Sequence, residues 1–226
     1  MEYHKINALY KRWRKDLHTP EMLPKGTNYN DFKTDEFALP EFEYLFNNKW
    51  VWSEKLDGTN IRVYLSIIDG IASYTVKGRT EKANIPKPLL EWIDTWFNNN
   101  YNNILETFSE TELVLYGEGV GEKIQKGALF GKQHFKLFDV LINEFYLEKP
   151  DVAEIAKKIN LDVPTFWIGT VQEAINKVKT LPKSGFGDFV IEGYVGQPLV
   201  RLNNAKGDRI VTKIKVRDFV KGNKNG

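Results

Sequence analysis

The sequence predicts an α+β domain of antiparallel sheets flanked by helices. Three observations carry this expectation. From Trp50 onward, strand-length runs that alternate or stay apolar follow one another at short spacing, as antiparallel strands do. Between residues 86 and 180, three segments change to helical spacing. Apart from a polar tail at 221–226, no repeat, linker or low-complexity tract divides the chain.

Taken in order, residues 1–50 mix aromatic and charged residues with Pro20, Pro24, Gly26 and Pro40. They predict a short helix over 6–15, then an irregular lead-in. Strands are expected at 51–54, 61–68 and 71–77, with Asp69-Gly70 as the hairpin turn between the last two. A helix follows over 86–97: Pro86 or Pro88 suits a first turn, and Leu89, Leu90, Ile93, Trp96 and Phe97 mark one apolar face. Strands at 112–116 and 135–142 precede helices at 152–159 and 171–180. The final third returns to strands at 189–195, 199–202 and 209–216. This reads as one domain over 1–226, with a lead-in at 1–50, a core at 51–217 and a basic tail at 218–226.

A chain of 226 residues, 42% hydrophobic and 13% aromatic, buries a substantial core. It has no cysteine, which excludes disulfides and thiolate metal sites, and three scattered histidines do not make a zinc site. A bound metal is expected on oxygen ligands. No signal core or membrane-length apolar run is present, so a soluble, cytoplasmic protein is expected. Net charge is +2, but the last 26 residues hold eight Lys/Arg against Asp208 and Asp218, which leaves −4 on the rest. Such a basic end suits a polyanion, and equally a solvated strand and tail.

The chemistry centres on Lys55, which follows a strand and precedes a hairpin in Glu54-Lys55-Leu56-Asp57-Gly58-Thr59-Asn60. A lysine amine attacks only when neutral. Lowering its pKa from about 10.4 to near 7 requires roughly 4 to 5 kcal/mol of bias against the ammonium. Burial and neighbouring cations supply such bias, and Lys213 and Lys215, alternating in a late strand, would face one side together.

In its order of motifs the chain resembles the covalent nucleotidyltransferase superfamily of ligases and capping enzymes, and within it the phage-type, ATP-dependent RNA ligases. The first motif, lysine-any-Asp-Gly, matches Lys55-Leu56-Asp57-Gly58 within a run that extends to Arg62. Lys77-Gly78-Arg79-Thr80, Tyr116-Gly117-Glu118-Gly119, the segment 135–140, Ile191-Glu192-Gly193-Tyr194-Val195 and Val211-Thr212-Lys213-Ile214-Lys215 follow in family order. The resemblance implies an adenylation domain of the ATP-grasp-like nucleotidyltransferase type, with Lys55 as the site of a lysyl-AMP adduct. It implies that Asp57 hydrogen-bonds near the amine or orients a metal-bound water, that Arg62 and Arg79 approach phosphate, and that Glu118 holds the ribose. It also implies that Phe138 covers the purine, that Glu192 binds the metal and that Lys213 and Lys215 touch phosphate, with Glu54 beside the nucleotide. ATP and Mg2+ or Mn2+ are the implied cofactors.

Each segment also has a structural reading. Glu192-Gly193 suits a strand-edge charge with a turn glycine, Phe138 a core residue, Arg79 a solvated hairpin, and Lys213 with Lys215 the charged face of an edge strand. Gly117-Glu118-Gly119-Val120-Gly121 lacks the last glycine of a dinucleotide loop, and Gly127 to Lys132 is one residue short of a P-loop. Only 11 residues follow Lys215, so no C-terminal oligonucleotide-binding barrel is expected, unlike DNA ligases and capping enzymes. The expected function is an ATP-dependent RNA ligase, a monomer that joins 5′-phosphate and 3′-hydroxyl RNA ends, on nicked duplex or otherwise, in a phage RNA-repair setting. A compact DNA ligase, a capping-like transferase and a non-catalytic RNA- or nucleotide-binding relative are the alternatives.

Overall fold

The structure, a computed structural model, describes residues 3–4, 6–80, 82–125 and 127–220. Lys221 and Lys224 of the basic tail lie outside the described residues. The chain divides into two compact units. A meander unit holds Leu56–Thr165 with Gly185–Phe189 and Tyr3, and a lysine unit holds His4–Lys55, Phe166–Ser184 and the residues from Val190 onward.

The lysine unit opens the chain with β1 (Asn7–Ala8), β2 (Tyr10–Arg12), β3 (Phe32–Phe37), α1 (Pro40–Tyr44) and β4 (Trp50–Lys55). The helix expected over 6–15 is therefore absent. Asn7 and Ala8 pair in parallel with Thr212 and Lys213, while Tyr10 and Arg12 pair with Phe37 and Phe32. Partners far along the chain outweigh the local helical spacing. Leu9, Tyr10, Phe32 and Phe42 are all buried in this unit's core.

The meander unit is a five-stranded antiparallel sheet in the order β6-β5-β7-β8-β9, formed by β5 (Thr59–Ile68), β6 (Ile71–Gly78), β7 (Thr111–Val120), β8 (His134–Ile142) and β9 (Phe145–Tyr146). Asp69 and Gly70 have φ of 51° and 72°, the two positive values a type I′ turn requires. Helices α2 (Lys87–Asn99), α3 (Tyr101–Thr107) and α4 (Lys149–Lys158) bring apolar side chains to one face. Leu89, Ile93, Trp96 and Phe97 recur at helical spacing and pack with Val63, Leu65, Leu115 and Leu137. Full burial of such side chains contributes roughly 2 kcal/mol each, so this layer supplies most of the unit's cohesion.

On the other face, Val114, Tyr116 and Leu141 gather Tyr3, Tyr64, Phe138 and Tyr146. A register shift at Tyr116/Gly117 interrupts the β7–β8 ladder beside Phe138. Asp139, 1% exposed, accepts hydrogen bonds from Tyr3 Oη at 2.5 Å and Lys149 Nζ at 2.8 Å. Lys149 also donates to the Phe138 carbonyl at 2.5 Å. The irregular ladder is thus clamped by a shielded ion pair.

The chain continues with β10 (Phe166–Gly169), α5 (Val171–Lys179), β11 (Lys183–Ser184), β12 (Gly187–Val190), β13 (Gly193–Pro198), β14 (Thr212–Lys215) and α6 (Val216–Phe219). The lysine unit's sheet runs β1-β14-β13-β4-β10, antiparallel except for the β1–β14 pair. α5 begins with a Thr170/Glu173 capping box and buries Val171, Ala174, Ile175 and Val178, the i, i+3, i+4, i+7 stripe, in a core with Trp50, Trp52, Tyr194 and Ile214. Three late expectations change. The strand expected over 189–195 is broken at Ile191 and Glu192, whose backbone bonds Pro182 and Val216. Residues 199–202 form no strand, since Leu199 bonds Lys49 across the chain. The last strand is shortened to Thr212–Lys215: Val216 starts a helical turn, and Arg209 forms only an isolated bridge with Asn203. No helix among the described residues is long and apolar enough to cross a membrane.

The Asp139–Lys149 clamp makes a direct prediction. Asp139→Ala leaves Lys149, only 12% exposed, without its buried counter-charge and lowers stability by about 3 kcal/mol, read as a drop in the urea midpoint.

Candidate active site

In the lysine unit, strand register decides which side chains meet. Lys55 ends β4 opposite Gly193, and Gly193 lies opposite Lys215 on its other side. One step earlier, Val195 separates Ser53 from Lys213 in the same way. Because side chains alternate along strands, Ser53, Lys55, Lys213 and Lys215 share one face, and Trp52, Glu54, Tyr194 and Ile214 the other. The central position has to be glycine: a Cβ on Gly193 would lie 2.0 Å from the Ile214 carbonyl oxygen. Its absence lets β13 approach β14 and brings the two lysines to either side of one residue.

Glu192 occupies the break just before β13. Its carboxylate accepts Lys55 Nζ at 2.6 Å on Oε2 and Lys215 Nζ on Oε1. The three side chains are 21%, 16% and 15% exposed for Lys55, Glu192 and Lys215, too shielded to behave as ordinary surface pairs. Burial pushes the Glu192 carboxyl up, but Lys55 and Lys215 outweigh it and hold the group below its ordinary value of 4.5. Among the described residues no cluster of three or more His, Asp or Glu suits a metal. Glu192 offers a single carboxylate.

Glu54 points elsewhere. It is 4% exposed, on the Trp52 face, and accepts a hydrogen bond from Ser184 Oγ at 2.5 Å. Burial, with Glu54 alongside, pushes Tyr194 up to about 12. Of the expected site residues in this unit, Lys55, Glu192, Lys213 and Lys215 are thus on the open side, and Glu54 is on the core side.

The meander unit holds the other expected residues. Asp57 and Gly58 lead into β5, and a Cβ on Gly58 would lie 2.3 Å from the Gly119 carbonyl oxygen. The motif glycine is therefore required by strand approach. Arg62, expected at phosphate, is fully buried and donates through Nε to the Gly78 carbonyl at 2.8 Å and through Nη1 to Tyr64 Oη at 3.0 Å. It fixes the end of β6, immediately before Arg79, which is exposed. Glu118 lies half-buried on β7 between Asn60 and Lys136. Phe138 packs edge-on against Tyr3, with ring centroids 5.3 Å apart, in the aromatic face.

Sequence reasoning passed over two groups. Lys136 pairs with Asp162 and lies 4.3 Å from the Phe186 ring centre; its spacing two residues before Phe138 was the available signal. The N-terminal run Lys11-Arg12-Trp13-Arg14-Lys15, expected as part of a short helix in the lead-in, carries the interleaved basic and aromatic residues typical of nucleic-acid contacts.

The lowered Glu192 value sets a pH dependence. A carboxylate stabilised in the folded state contributes fully above its unfolded value and loses that contribution as pH falls through the folded one. The stability gap between the unsubstituted protein and Glu192→Gln should be full at pH 7 and shrink below pH 4.5, as measured by urea unfolding across pH.

The RNA ligase family model matches residues 48–215. No curated protein matches the chain. Among solved structures, a mutant of a Naegleria gruberi RNA ligase with ATP and Mn superposes with a TM-score of 0.58 at 21% identity, covering 78% of this chain and 52% of that one. A second mutant of that ligase with ATP and Mn gives 0.56 at 18%, covering 79% and 54%. The chain spans about half the length of those structures, and they share its α+β fold of antiparallel sheets. With three quarters of its length matched, from before Lys55 to Lys215, the chain belongs to the RNA ligase family.

Proposed function

We propose that the protein is an ATP-dependent RNA ligase that works through a lysyl-AMP intermediate on Lys55. The observation that carries this reading is the Lys55–Glu192–Lys215 cluster, in which a shielded amine, a carboxylate and a second cation meet across three adjacent strands. Phosphoryl-type transfer depends mainly on positioning and charge neutralisation, and this cluster offers both. The Lys55 amine, its proton released to water, attacks the α-phosphorus of ATP. A phosphorus–nitrogen bond forms, the bond to the bridging oxygen breaks and pyrophosphate leaves. Lys213 and Lys215 face the charge on the α-phosphate oxygens.

Next, an oxygen of the RNA 5′-phosphate attacks the same phosphorus. The phosphorus–nitrogen bond breaks and Lys55 is regenerated. A 3′-hydroxyl oxygen, its proton released to water, then attacks the activated 5′-phosphate; a phosphodiester bond forms, the bond to the AMP oxygen breaks and AMP departs. In the meander unit we assign Glu118 to the ribose, Phe138 to the purine and Arg79 to phosphate. Arg62 is a positioning residue acting through Gly78, and we assign Asp57 to the lysyl-AMP chemistry. Glu54 acts from the core side, by holding β4. Glu192 would hold Mg2+ or Mn2+ through its carboxylate, and the ion would supply neutralisation of phosphate charge. The ATP, AMP and Mn held by the Naegleria gruberi structures support the same cofactors.

Intact-mass measurement after incubation with each labelled NTP and Mg2+ or Mn2+ tests the proposal. An AMP increment mapped to Lys55 is expected, absent in Lys55→Ala and formed about 100-fold more slowly in Lys215→Ala. No adduct under any condition, or one at another residue, would sink it.

A further inference from the structure

The lysine unit contains a cleft of about 820 Å3 beside the motif lysines. Among the described residues, seven Lys or Arg line it against a single acid, Glu36. Lys213 and Lys215 line it together with Lys11, Arg12 and Arg14 of the N-terminal segment. The parallel pairing of β1 with β14 builds this wall, since it places Ala8 against Lys213 and so ties the N-terminal segment to the strand that carries the site's cations.

The cations differ in what they are free to do. Arg12 makes two bonds to Asp218, at 2.8 and 3.0 Å, and Asp218 is only 5% exposed. That fork fastens β2 to α6. Lys11 pairs with Glu36 and Arg14 with Asp16, but these pairs are open to solvent and contribute little. Either cation can exchange its acid for a phosphate at small cost. Arg217 is exposed on the same cleft. Trp13, in the middle of the basic run, lies behind this wall: His18 packs edge-on against it at 5.0 Å, and Lys33 is 4.6 Å from its ring centre.

We infer that this cleft is the track for the phosphodiester backbone of the RNA strand, running from Lys11, Arg14 and Arg217 to Lys213 and Lys215. The inference rests on the RNA ligase reading above and adds where the polymer lies. A triphosphate tail would occupy only part of a space this size, whereas cations spread along a groove suit a single strand, whose successive phosphates they meet.

The test combines two assays on the full chain. The first follows a 5′-phosphorylated single-stranded RNA 12-mer by fluorescence anisotropy across salt. The second measures lysyl-AMP formation against ATP concentration. The triple variant Lys11→Gln/Arg14→Gln/Arg217→Gln should bind the RNA at least tenfold more weakly, with the slope of log affinity on log salt reduced by about 2, the release expected for three lost phosphate contacts on a single strand. Its KM for ATP should stay within twofold. A control triple, Lys157→Gln/Lys158→Gln/Lys179→Gln, removes equal charge elsewhere and should retain RNA affinity within threefold. Unchanged RNA binding overturns the inference. Unchanged RNA binding with a raised KM for ATP would reassign the cleft to the nucleotide's phosphate tail. An equal loss in the control triple overturns it as well, because net charge alone would then account for the effect. If the unsubstituted protein forms no adduct, the ligase reading fails, while the RNA arm still reports on the cleft.

Discussion

The width of one glycine sets the geometry of the lysine unit's site. Lys55 and Lys215 lie on opposite sides of Gly193, and β13 comes so close to β14 that no side chain fits there. Two ammonium groups held at this separation repel one another, and Glu192 is the counter-charge between them. It reaches both because the strand breaks immediately before Gly193. A continuous strand over 189–195 would have paired Glu192 as an ordinary ladder residue; the break frees it while its carbonyl still accepts from Val216.

From that constraint the roles of neighbouring elements follow. The β4 face opposite Lys55 is filled by Trp50 and Trp52 against α5, so β4 cannot shift along its length without exposing indole surface. β14 is held on both sides, by β13 and by the short parallel β1, which makes the lysine pair part of an interior strand. A two-residue strand contributes little stability alone. Its consequence is positional, because it carries the basic N-terminal segment to the side of Lys213. Fold and electrostatics are therefore coupled through a single ladder.

The sequence made much of this legible. Strands and helices with strong periodicity, such as β5, β6, α2 and α5, come out within a few residues, and the Asp69-Gly70 turn comes out with its positive φ values. The failures share a cause. Residues 6–15 have helical spacing, yet Asn7 and Ala8 find their partners more than 200 residues away, and periodicity carries no information about that. The break at Glu192 was likewise hidden, because Ile191 to Val195 alternate like a strand and only the clash at Gly193 shows why the ladder starts late. Among the expected site residues, motif order picked out Lys55, Glu192 and Lys215, whose side chains meet, and Lys213 on the same face. The core-side position of Glu54 was readable too, had strand alternation been applied to Lys55's own neighbour. The burial of Arg62 was not, since its acceptors, Gly78 and Tyr64, are chosen by the β5–β6 register.

These observations separate what the fold requires from what chemistry requires. Gly58 and Gly193 are needed by packing alone: each lies where a Cβ would strike a neighbouring carbonyl oxygen. Their presence in the motifs is therefore no evidence for a reaction. Arg62 and the Asp139–Lys149 pair are likewise accounted for by the structure they hold. The Lys55, Glu192 and Lys215 cluster differs, because nothing in the packing calls for it. Two lysines drawn to one shielded carboxylate cost desolvation on all three groups, and similar-sized apolar residues would often stabilise such a place equally well. A fold under no functional demand has no physical reason to keep that arrangement, and on this ground the proposed lysyl-AMP chemistry rests on the cluster more than on the lysine motif.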